Sequence, residues 1–407
     1  MKHTLPRRYI RTISDEAAAD QGYYIDEAQG RFVCDWIQKY CRQSKGEFAG
    51  KPVELMQWQI EDFLMPLFSW MRPDGTRRFT QALLFIPKKN GKSTLVSALG
   101  CYFLVADGEN GAEVYSAAGD IKQARIIFNE SANMVDQSPK LADICKVLRS
   151  HKEIQFRTKV KGTLWTGSFS ALSADVETKH GFNVSALLFD ELHTQPNRRL
   201  WDTLQYGVAS RRQPMTIALT TAGEDIISLC YDVYDYGKKL LDSKSRIVDL
   251  SFFPLIYEAE KEAKWDDETT WAATNPSYGV TLNPKYFHDA ITRIREIPSE
   301  LNSFLRLHLN IWTQDQDSWL DLDAWDRCAM PIDWDEFNSK PCYMGLDLSS
   351  TLDLTAFVLV FADDNENYYL KPYFWIPRDN MIKRQRRDRV PYDVWVREGY
   401  VTATPGA

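Results

Sequence analysis

Residues 79–104 constrain the fold of this chain more than any other stretch of its sequence. An apolar run breaks there into a basic, glycine-containing turn and then resumes with the spacing of a helix. The run at residues 82–86 is short, apolar and bounded by Pro87, which is typical of a strand buried on both faces of a parallel sheet. The stretch therefore predicts strand, loop and helix in that order, and hence an α/β fold.

The turn after this strand contains the groups that hold a nucleoside triphosphate. Residues 88–94 read KKNGKST, which offers backbone N–H groups at a helix N-terminus, Lys92 for the β and γ phosphates, and a hydroxyl for Mg²⁺. Ser93 has the standard place for that hydroxyl, and Thr94 is the alternative. The usual pattern GxxxxGK[ST] puts its first glycine at position 86, where this chain has isoleucine. A solvated lysine-rich turn is therefore the competing interpretation.

A second apolar run, residues 185–189, leads directly into Asp190 and Glu191. The carboxyl ends of strands form the ligand-binding edge of an open α/β sheet. Asp190 follows Lys92 by 98 residues, which we interpret as a neighbouring strand of the same sheet. Asp190 would hold Mg²⁺ through a water, and Glu191 would orient or deprotonate the attacking water. Either acid alone could be a solvated turn residue, but together with the basic turn they predict a nucleotide-hydrolysing site.

A third predicted strand, residues 215–221, ends in Thr220 and Thr221. Hydroxyls at a strand tip beside the γ-phosphate can sense its presence and transmit that information. Just before this strand, Arg211 and Arg212 are candidates for an arginine that reaches a neighbouring subunit's phosphate. A solvated pair of arginines is the alternative.

Upstream of the basic turn, Trp58 and Gln59 could stack on a purine base and form hydrogen bonds with it, because glutamine offers both a donor and an acceptor. The alternative is a tryptophan packed in the core beside a surface glutamine.

Composition sets limits on the partners of the chain. With 407 residues, 44% of them apolar, the chain is long enough for two or three globular domains. The formal net charge of −7 means that any contact with nucleic acid needs a local basic patch. The seven cysteines show no CxxC spacing, as expected of reduced thiols. Without an apolar signal region or a run of about 18 apolar residues, we expect a soluble intracellular protein.

Taken together, these stretches resemble the large terminase subunit of tailed bacteriophages, the ATP-driven motor that packages DNA into capsids. Terminases of this type tolerate a phosphate loop without its first glycine and carry a basic residue three positions before the GK glycine, which is Lys88 here. The resemblance rests on residues 55–59 (LMQWQ), 87–94 (PKKNGKST), 179–193 (KHGFNVSALLFDELH), 210–223 (SRRQPMTIALTTAG) and 307–312 (LHLNIW).

The resemblance implies a role for each matching position. Catalysis is expected of Glu191, with Lys92 and Lys88 at the phosphates, and coupling is expected of Thr220 and Thr221. Mg²⁺ is expected at Ser93 and Asp190. The expected nucleotide-binding residues are Trp58, Gln59, Pro87, Lys89, Asn90, Gly91, Lys92, Ser93 and Thr94.

Residues 342–350, CYMGLDLSS, precede two further apolar strands at 355–361 and 368–375. They resemble the opening of a ribonuclease-H-like nuclease, which terminases use to cut DNA. Asp347, in the middle of the first strand, is the expected first ligand of a site for two Mg²⁺ or Mn²⁺ ions, which needs several carboxylates. The other acids of such sites lie on later strands, so we expect a truncated nuclease domain that does not cleave DNA.

The basic run at residues 383–389 is a candidate DNA-binding segment. A solvated charged helix is the competing interpretation. The candidate DNA-binding residues are Lys383, Arg384, Arg386 and Arg387.

The sequence as a whole predicts an α/β architecture: a P-loop ASCE ATPase with a mainly parallel sheet, a small helical linker subdomain, and a partial ribonuclease-H-like nuclease domain. The expected boundaries are 1–50 for an N-terminal helical segment, 51–250 for the ATPase core, 251–335 for the helical lid or linker and 336–407 for the nuclease part.

The expected cofactors are ATP and Mg²⁺ for the ATPase, and Mg²⁺ or Mn²⁺ for the nuclease. The expected partners are double-stranded DNA, the small terminase subunit and the capsid portal. A homo-oligomeric ring on the portal, in the cytoplasm of the infected bacterial host and without a membrane, would be the working form. The alternatives are a helicase-like ATPase and a non-catalytic prophage remnant that binds the small terminase subunit or the portal.

Overall fold

The computed structural model describes residues 6–173, 182–208, 210–260, 262–313, 325, 327–348, 354–363, 367–388 and 390–406. The chain divides into two compact units, residues 1–315 and 316–407, and each is described by itself. Within the described ranges, we find no helix that combines the length and the apolar character needed to cross a membrane.

The first unit is built from helices around a large sheet. A π-helical stretch, Gln59–Leu64, runs directly into the helix Met65–Ser69. The helices are α1 (Ile13–Asp20), α2 (Glu27–Tyr40), α3 (Met65–Ser69), α4 (Lys92–Val105), α5 (Ile121–Gln137), α6 (Pro139–Ala142), α7 (Arg199–Tyr206), α8 (Leu229–Leu241), α9 (Glu268–Thr274), α10 (Pro284–Glu296) and α11 (Leu301–Leu309).

Two sheets are formed by the strands of this unit. The first two strands make a short antiparallel pair, and the other eight form one sheet. The strands are β1 (Tyr24–Ile25), β2 (Trp70–Met71), β3 (Gln81–Phe85), β4 (Ala112–Ala118), β5 (Cys145–Leu148), β6 (Glu153–Val160), β7 (Thr163–Ser173), β8 (Ala186–Phe189), β9 (Met215–Thr220) and β10 (Phe252–Ile256).

The large sheet has the order β10-β3-β9-β8-β4-β7-β6-β5. It is parallel from β10 to β7, and β6 and β5 extend it as antiparallel strands. Every residue of β8 and β9 is buried, as expected when helices cover both faces of a parallel sheet. The predicted strand, loop and helix at residues 79–104 are confirmed as β3, the turn and α4.

Two features of the sheet differ from what the sequence predicts. β8 is not the neighbour of β3, because β9 pairs with both and lies between them. β10 was not predicted as a strand, and it pairs with β3 at the edge of the sheet, past the expected core boundary at residue 250. Pro254 lies inside β10, and proline is tolerated in a strand at such an edge.

The N-terminal helices pack on the same core as the sheet. Arg78, at 1% exposure, donates from Nη1 to Asp15 of α1 at 2.7 Å and from Nε to the carbonyl oxygen of Leu250 at 2.9 Å. Trp36 of α2 packs edge-to-face on Tyr102 of α4, with ring centroids 5.7 Å apart. This segment is therefore part of the first unit.

The second unit contains a sheet of four strands. Its strands are β11 (Cys342–Asp347), β12 (Thr355–Ala362), β13 (Tyr368–Pro377) and β14 (Thr402–Thr404), and its helices include α12 (Met381–Asp388) and α13 (Tyr392–Arg397). The first three strands are antiparallel in sequence order, and β14 lies parallel to β13. Every residue of β11 is exposed. The buried residues of this unit include Ile376, Tyr392 and Val401.

Candidate active site

The phosphate loop leaves the buried end of β3 and enters α4 at Lys92. Lys89 (φ 70°) and Gly91 (φ 80°) both adopt the left-handed conformation, so the loop turns sharply twice. Among the residues that the structure describes, no side chain caps the N-terminus of α4. The backbone N–H groups of its first turn therefore remain available for an anion, and the helix dipole favours negative charge there.

The buried side chain of Asn90 stabilises the conformation of this loop. Its side chain is fully buried, and Nδ2 donates to Asn275 Oδ1 at 2.9 Å and to the carbonyl oxygen of Pro87 at 3.3 Å. Its Oδ1 accepts the N–H of Ser277 at 3.1 Å. The N–H of Lys88 donates to the carbonyl oxygen of Leu307 at 2.9 Å. The phosphate loop is thus anchored to the helical region that contains α9 and α11.

The two acids follow β8 on the same edge of the sheet. Asp190 is 4% exposed, and its N–H donates to the carbonyl oxygen of Ala117 at 2.8 Å. Glu191 has φ 47°, a conformation that is uncommon for a non-glycine residue. Its Oε1 lies 3.8 Å from Nζ of Lys92. The structure therefore brings together the lysine and the acids that the sequence placed 98 residues apart.

Burial, followed by the charge of Glu191, raises the pKa of Asp190 to about 6. Oε2 of Glu191 is also buried, and it has no hydrogen-bond partner among the described residues. The carboxyl groups of Asp190 and Glu191 therefore fit a divalent cation, whose positive charge stabilises their ionised form. Ser93, half-buried in the first turn of α4, offers the additional hydroxyl. Mg²⁺ needs few protein ligands when phosphates supply the others, so these residues fit MgATP.

The tip of β9 lies against this site. Thr220 and Thr221 are fully buried. The hydroxyl of Thr220 donates to the carbonyl oxygen of Thr221 at 2.9 Å, and Oγ1 of Thr221 has no partner among the described residues. The N–H of Ala222 donates to Asn310 Oδ1 at 3.1 Å, and Nδ2 of Asn310 donates to the carbonyl oxygen of Tyr257 at 2.7 Å. Asn310 therefore connects the ends of β9 and β10.

Trp58 and Gln59 take different positions. The indole of Trp58 is 5% exposed, donates from Nε1 to Ser277 Oγ at 3.1 Å and packs edge-to-face on Tyr257. The base-stacking expectation is corrected for Trp58, because its ring is enclosed in the core. Gln59 is also buried. It accepts the N–H of Met56 at 2.9 Å, and its Nε2 lies next to Gly91.

The two candidate trans-acting arginines differ in their surroundings. Arg211 donates to the carbonyl oxygens of Gly111 at 2.6 Å and Asn183 at 2.8 and 2.9 Å, and its Nη1 lies 3.7 Å from Glu109 Oε2. It is therefore occupied in linking the segments that enter β4 and β8, and the expectation that it reaches a neighbouring subunit is corrected. Arg212 is exposed and stays a candidate.

In the second unit, Asp347 is the last residue of β11 and not a mid-strand residue as expected. It is exposed. Among the described residues, no group of three or more His, Cys, Asp and Glu side chains is placed to hold a metal ion. The basic run forms part of α12. Arg384 is 8% exposed, whereas the side chains of Lys383, Arg386 and Arg387 lie outside the described residues.

Sequence reasoning missed four polar residues that shape the site. Asn275 and Ser277 clamp the phosphate loop, Asn310 joins two strand ends, and His193 contacts Glu191, with its Nδ1 3.2 Å from Oε2. Only Asn310 carried a local signal, because asparagine is favoured after a helix in the left-handed conformation, and its φ is 54° after α11. Each of the others has a partner far away in the sequence, which is Asn90 for Asn275 and Ser277 and Thr220 for His193.

Fold and site together define an α/β protein of the phosphate-loop ATPase class, with an additional strand between the lysine-bearing and acid-bearing strands. Two family profiles match the chain: "Terminase large subunit, ATPase domain" over residues 58–239 and "Terminase large subunit, endonuclease domain" over residues 246–407. The chain belongs to the terminase large subunit family.

Individual relatives agree with this assignment. The terminase large subunit of Enterobacteria phage HK97 is 30% identical over 386 residues, which is 93% of this chain and 71% of that protein. The terminase large subunit of Lactococcus phage p2 is 24% identical over 370 residues, covering 89% and 66%. The crystal structure of the HK97 bacteriophage large terminase superposes with a TM-score of 0.59 at 29% identity, covering 93% of this chain and 74% of that one.

Proposed function

We propose that this chain is an ATP-hydrolysing DNA-packaging motor subunit. The observation that carries the proposal is the convergence of Lys92 with Glu191 and Asp190 beside the uncapped N-terminus of α4. Lys88 and Lys92 would bind phosphate oxygens, and the N–H groups of the first turn of α4 would orient them. Mg²⁺, held by Ser93 and Asp190, would neutralise charge on the phosphates. The remaining nucleotide contacts would come from Gln59, Pro87, Lys89, Asn90, Gly91 and Thr94.

Glu191 is assigned as the residue that orients or deprotonates the attacking water. Its Oε2 is buried and accepts no hydrogen bond from the described residues, so it can accept a proton from water, while Asp190 is assigned to the metal. Because a proton-accepting side chain contributes roughly 10²- to 10⁴-fold to a rate, Glu191→Gln should reduce ATP turnover by at least about 100-fold. Glu296→Gln, on the exposed face of α10, is the matched control and should turn over ATP at the wild-type rate.

The measurement is steady-state phosphate release by the purified chain with MgATP, alone and with double-stranded DNA. Turnover that is lost in Glu191→Gln and kept in Glu296→Gln supports the proposal. Equal turnover in all three proteins would contradict it and would favour a non-catalytic binding role. ATP binding should persist in Glu191→Gln, because that substitution leaves Lys92 and the loop unchanged.

The partners follow from membership of the family. We propose that the chain acts on double-stranded DNA with a small terminase subunit and a capsid portal, as a homo-oligomeric ring in the cytoplasm of the infected bacterial host. Arg212 is the proposed trans-acting arginine of such a ring, because it is exposed. A test is the DNA-stimulated rate of mixtures of Arg212→Ala and Glu191→Gln subunits, because complementation requires that neighbouring subunits share a site.

We further propose that the polypeptide of residues 1–407 does not cleave DNA. A two-metal site needs several carboxylates, and Asp347 is exposed at the end of an exposed strand. Incubation of supercoiled plasmid with Mn²⁺ is the test. Linear product from the wild-type chain that disappears in Asp347→Ala would contradict this proposal while leaving the ATPase proposal intact.

A further inference from the structure

His193 lies between the catalytic carboxylate and the tip of β9. It belongs to the short 3₁₀ turn Leu192–Thr194 that follows Glu191. Its backbone N–H donates to Thr220 Oγ1 at 3.2 Å, and its ring Nδ1 lies 3.1 Å from the same oxygen. The same Nδ1 lies 3.2 Å from Glu191 Oε2. One ring nitrogen is therefore within reach of two oxygens on two different strand ends.

The hydrogen-bond network assigns the proton on this ring. The hydroxyl of Thr220 is placed to donate to the carbonyl oxygen of Thr221, and the carboxylate of Glu191 can only accept. We therefore assign the ring proton of His193 to Nδ1, which can donate to either oxygen. Burial lowers the pKa of His193 to about 4, so the ring is neutral at neutral pH and carries this single Nδ1–H in the site.

The same N–H is shared unequally between its two possible acceptors. It is bonded to Thr220, whereas its approach to Glu191 Oε2 is close in distance but poorly aligned, and Oε2 has no hydrogen-bond partner among the described residues. A small rotation of the ring, or a small shift of the β9 tip, would align the N–H with Oε2. Only one of the two bonds can be well aligned at a time, because hydrogen bonds weaken steeply as they bend.

The surroundings leave little room for other movements of this residue. A Cβ on Gly223 would lie 3.2 Å from His193 Cβ, so the loop after β9 passes directly over it. Thr220 Oγ1 is also 3.4 Å from Cys230 Sγ of α8, which holds the threonine in place. The imidazole of His193 therefore links the turn after β8 to the tip of β9.

We propose that His193 is a positioning residue that couples Glu191 to the β9 tip by passing its Nδ1–H between Thr220 and the Glu191 carboxylate. This inference rests on the proposed ATPase function. When the N–H is bonded to Thr220, Oε2 of Glu191 is free to accept a proton from water. When a shift of the β9 tip breaks that bond, the N–H binds Oε2 and holds the carboxylate away from that role. In this proposal His193 acts only through Glu191 and Thr220.

The test compares four variants by kcat and KM for ATP. His193→Phe keeps a ring of similar size but removes the donor, so Oε2 of Glu191 stays free at every position of the β9 tip, and kcat should equal or exceed that of the wild type. KM should stay within about threefold, since Lys92 and the loop are unchanged. His193→Asn places an amide N–H near the Nδ1 position, and its kcat should stay within about threefold of the wild type. Thr220→Val removes the competing acceptor at similar volume and leaves the N–H to Oε2, so its kcat should fall roughly 10- to 100-fold, as expected when a catalytic group is held out of place.

The double variant His193→Phe/Thr220→Val distinguishes coupling from two separate structural roles. If the two residues act through one hydrogen bond, the kcat of the double variant should equal that of His193→Phe, whereas independent effects would multiply. Wild-type kcat in Thr220→Val, a double variant as slow as Thr220→Val, or a rise in KM that accounts for the loss would each overturn the proposal. Binding of a fluorescent ATP analogue shows that each variant retains a folded site. Failure of the ATPase proposal is recognised separately, because wild-type turnover would then equal that of Glu191→Gln.

Discussion

Two apolar strands of this chain have an aspartate at their carboxyl end, and one of these strands is buried whereas the other is exposed. Residues 187–190 read LLFD and residues 344–347 read MGLD. β8 is buried along its whole length between β9 and β4, whereas β11 is exposed along its whole length at the edge of its sheet. Asp190 consequently has a raised pKa and a lysine beside its neighbour, while Asp347 faces solvent.

The difference shows that the sequence pattern alone does not make a site. At the end of β8, the neighbouring strand tips, the phosphate loop and the helical region around Asn275 exclude water, so each charge acts strongly on the next. At the end of β11, water screens the carboxylate. The predictions below test this contrast by making matched changes in the two units.

The largest expected effect is on ATP turnover. Lys92→Ala removes the cation that faces Glu191 and the phosphate site, and turnover should fall roughly 100- to 1,000-fold, because preorganised charge is a major source of rate enhancement. Asp347→Ala, in the second unit, should leave ATP turnover unchanged. Phosphate release at saturating MgATP measures both.

Lys285→Ala is the control for the loss of a lysine, because Lys285 is exposed on α10. A comparable fall in Lys92→Ala and Lys285→Ala would indicate a general effect of charge. A fall in Asp347→Ala would mean that the exposed carboxylate contributes to nucleotide chemistry, and the contrast between the two aspartates would then be wrong.

The next effect is on stability. Arg211→Ala leaves the carbonyl oxygens of Gly111 and Asn183 without their donor, and it should lower the free energy of unfolding by about 2 kcal/mol, as expected when several partly exposed hydrogen bonds from a charged group are lost. Arg397→Ala, at an exposed position of α13, should change it by less than about 0.5 kcal/mol. Urea denaturation of both variants is the measurement. Unchanged stability in Arg211→Ala would return this arginine to the list of trans-acting candidates.

The strands that carry the candidate site followed from local patterns. β3, β8 and β9 are short apolar runs, and the sequence predicts each of them. The order of the strands did not follow, because the insertion of β9 between β3 and β8 depends on contacts between distant segments. β10 was missed because Pro254 argues locally against a strand.

The residues of the candidate site also fall into two groups: those that a local motif identifies and those that it does not. Lys92, Asp190 and Glu191 belong to local motifs, so their type and spacing were sufficient to identify them. Burial was not readable from spacing, which is why Trp58 looked available to a base and Arg211 to a neighbouring subunit. Asn275, Ser277 and His193 gave no signal, because each has a partner more than 20 residues away, such as Thr220 for His193 or Asn90 for Asn275.

A further change in the free energy of unfolding, of at most the same size, is expected when the pH falls. His308 is 8% exposed between Phe287 and Phe304, and burial, with a smaller contribution from Lys88 and Lys89, lowers its pKa to about 4. The unfolded chain binds a proton near pH 6.5 and the folded chain only near pH 4, so this contribution to stability is present above pH 6.5 and is lost as the pH falls towards 4. Between pH 7 and 5 the loss should be about 2 kcal/mol.

The variant His308→Gln should remove that part of the pH dependence, because glutamine does not titrate. His151→Gln, at an exposed position, should retain it. The measurement is the free energy of unfolding in urea at pH 7 and pH 5 for the three proteins. An unchanged difference between the two pH values in His308→Gln would show that the imidazole is not held neutral by its surroundings.

The smallest effect on stability is expected when either of two glycines is replaced by alanine, and its sign differs between the two units. A Cβ at Gly100 of α4 would lie 2.7 Å from Phe169 Cε1, and Phe169 is fully buried, so overpacking should cost about 2 kcal/mol against a gain of about 1 kcal/mol from helix propensity. A Cβ at Gly345 of β11 would meet nothing within 4 Å, and alanine there should gain about 0.5 kcal/mol. Hydrogen exchange of peptides from each unit measures the two changes separately. If Gly345→Ala proved as destabilising as Gly100→Ala, β11 would have to be packed against other residues in solution, and the exposed environment of Asp347 would no longer hold.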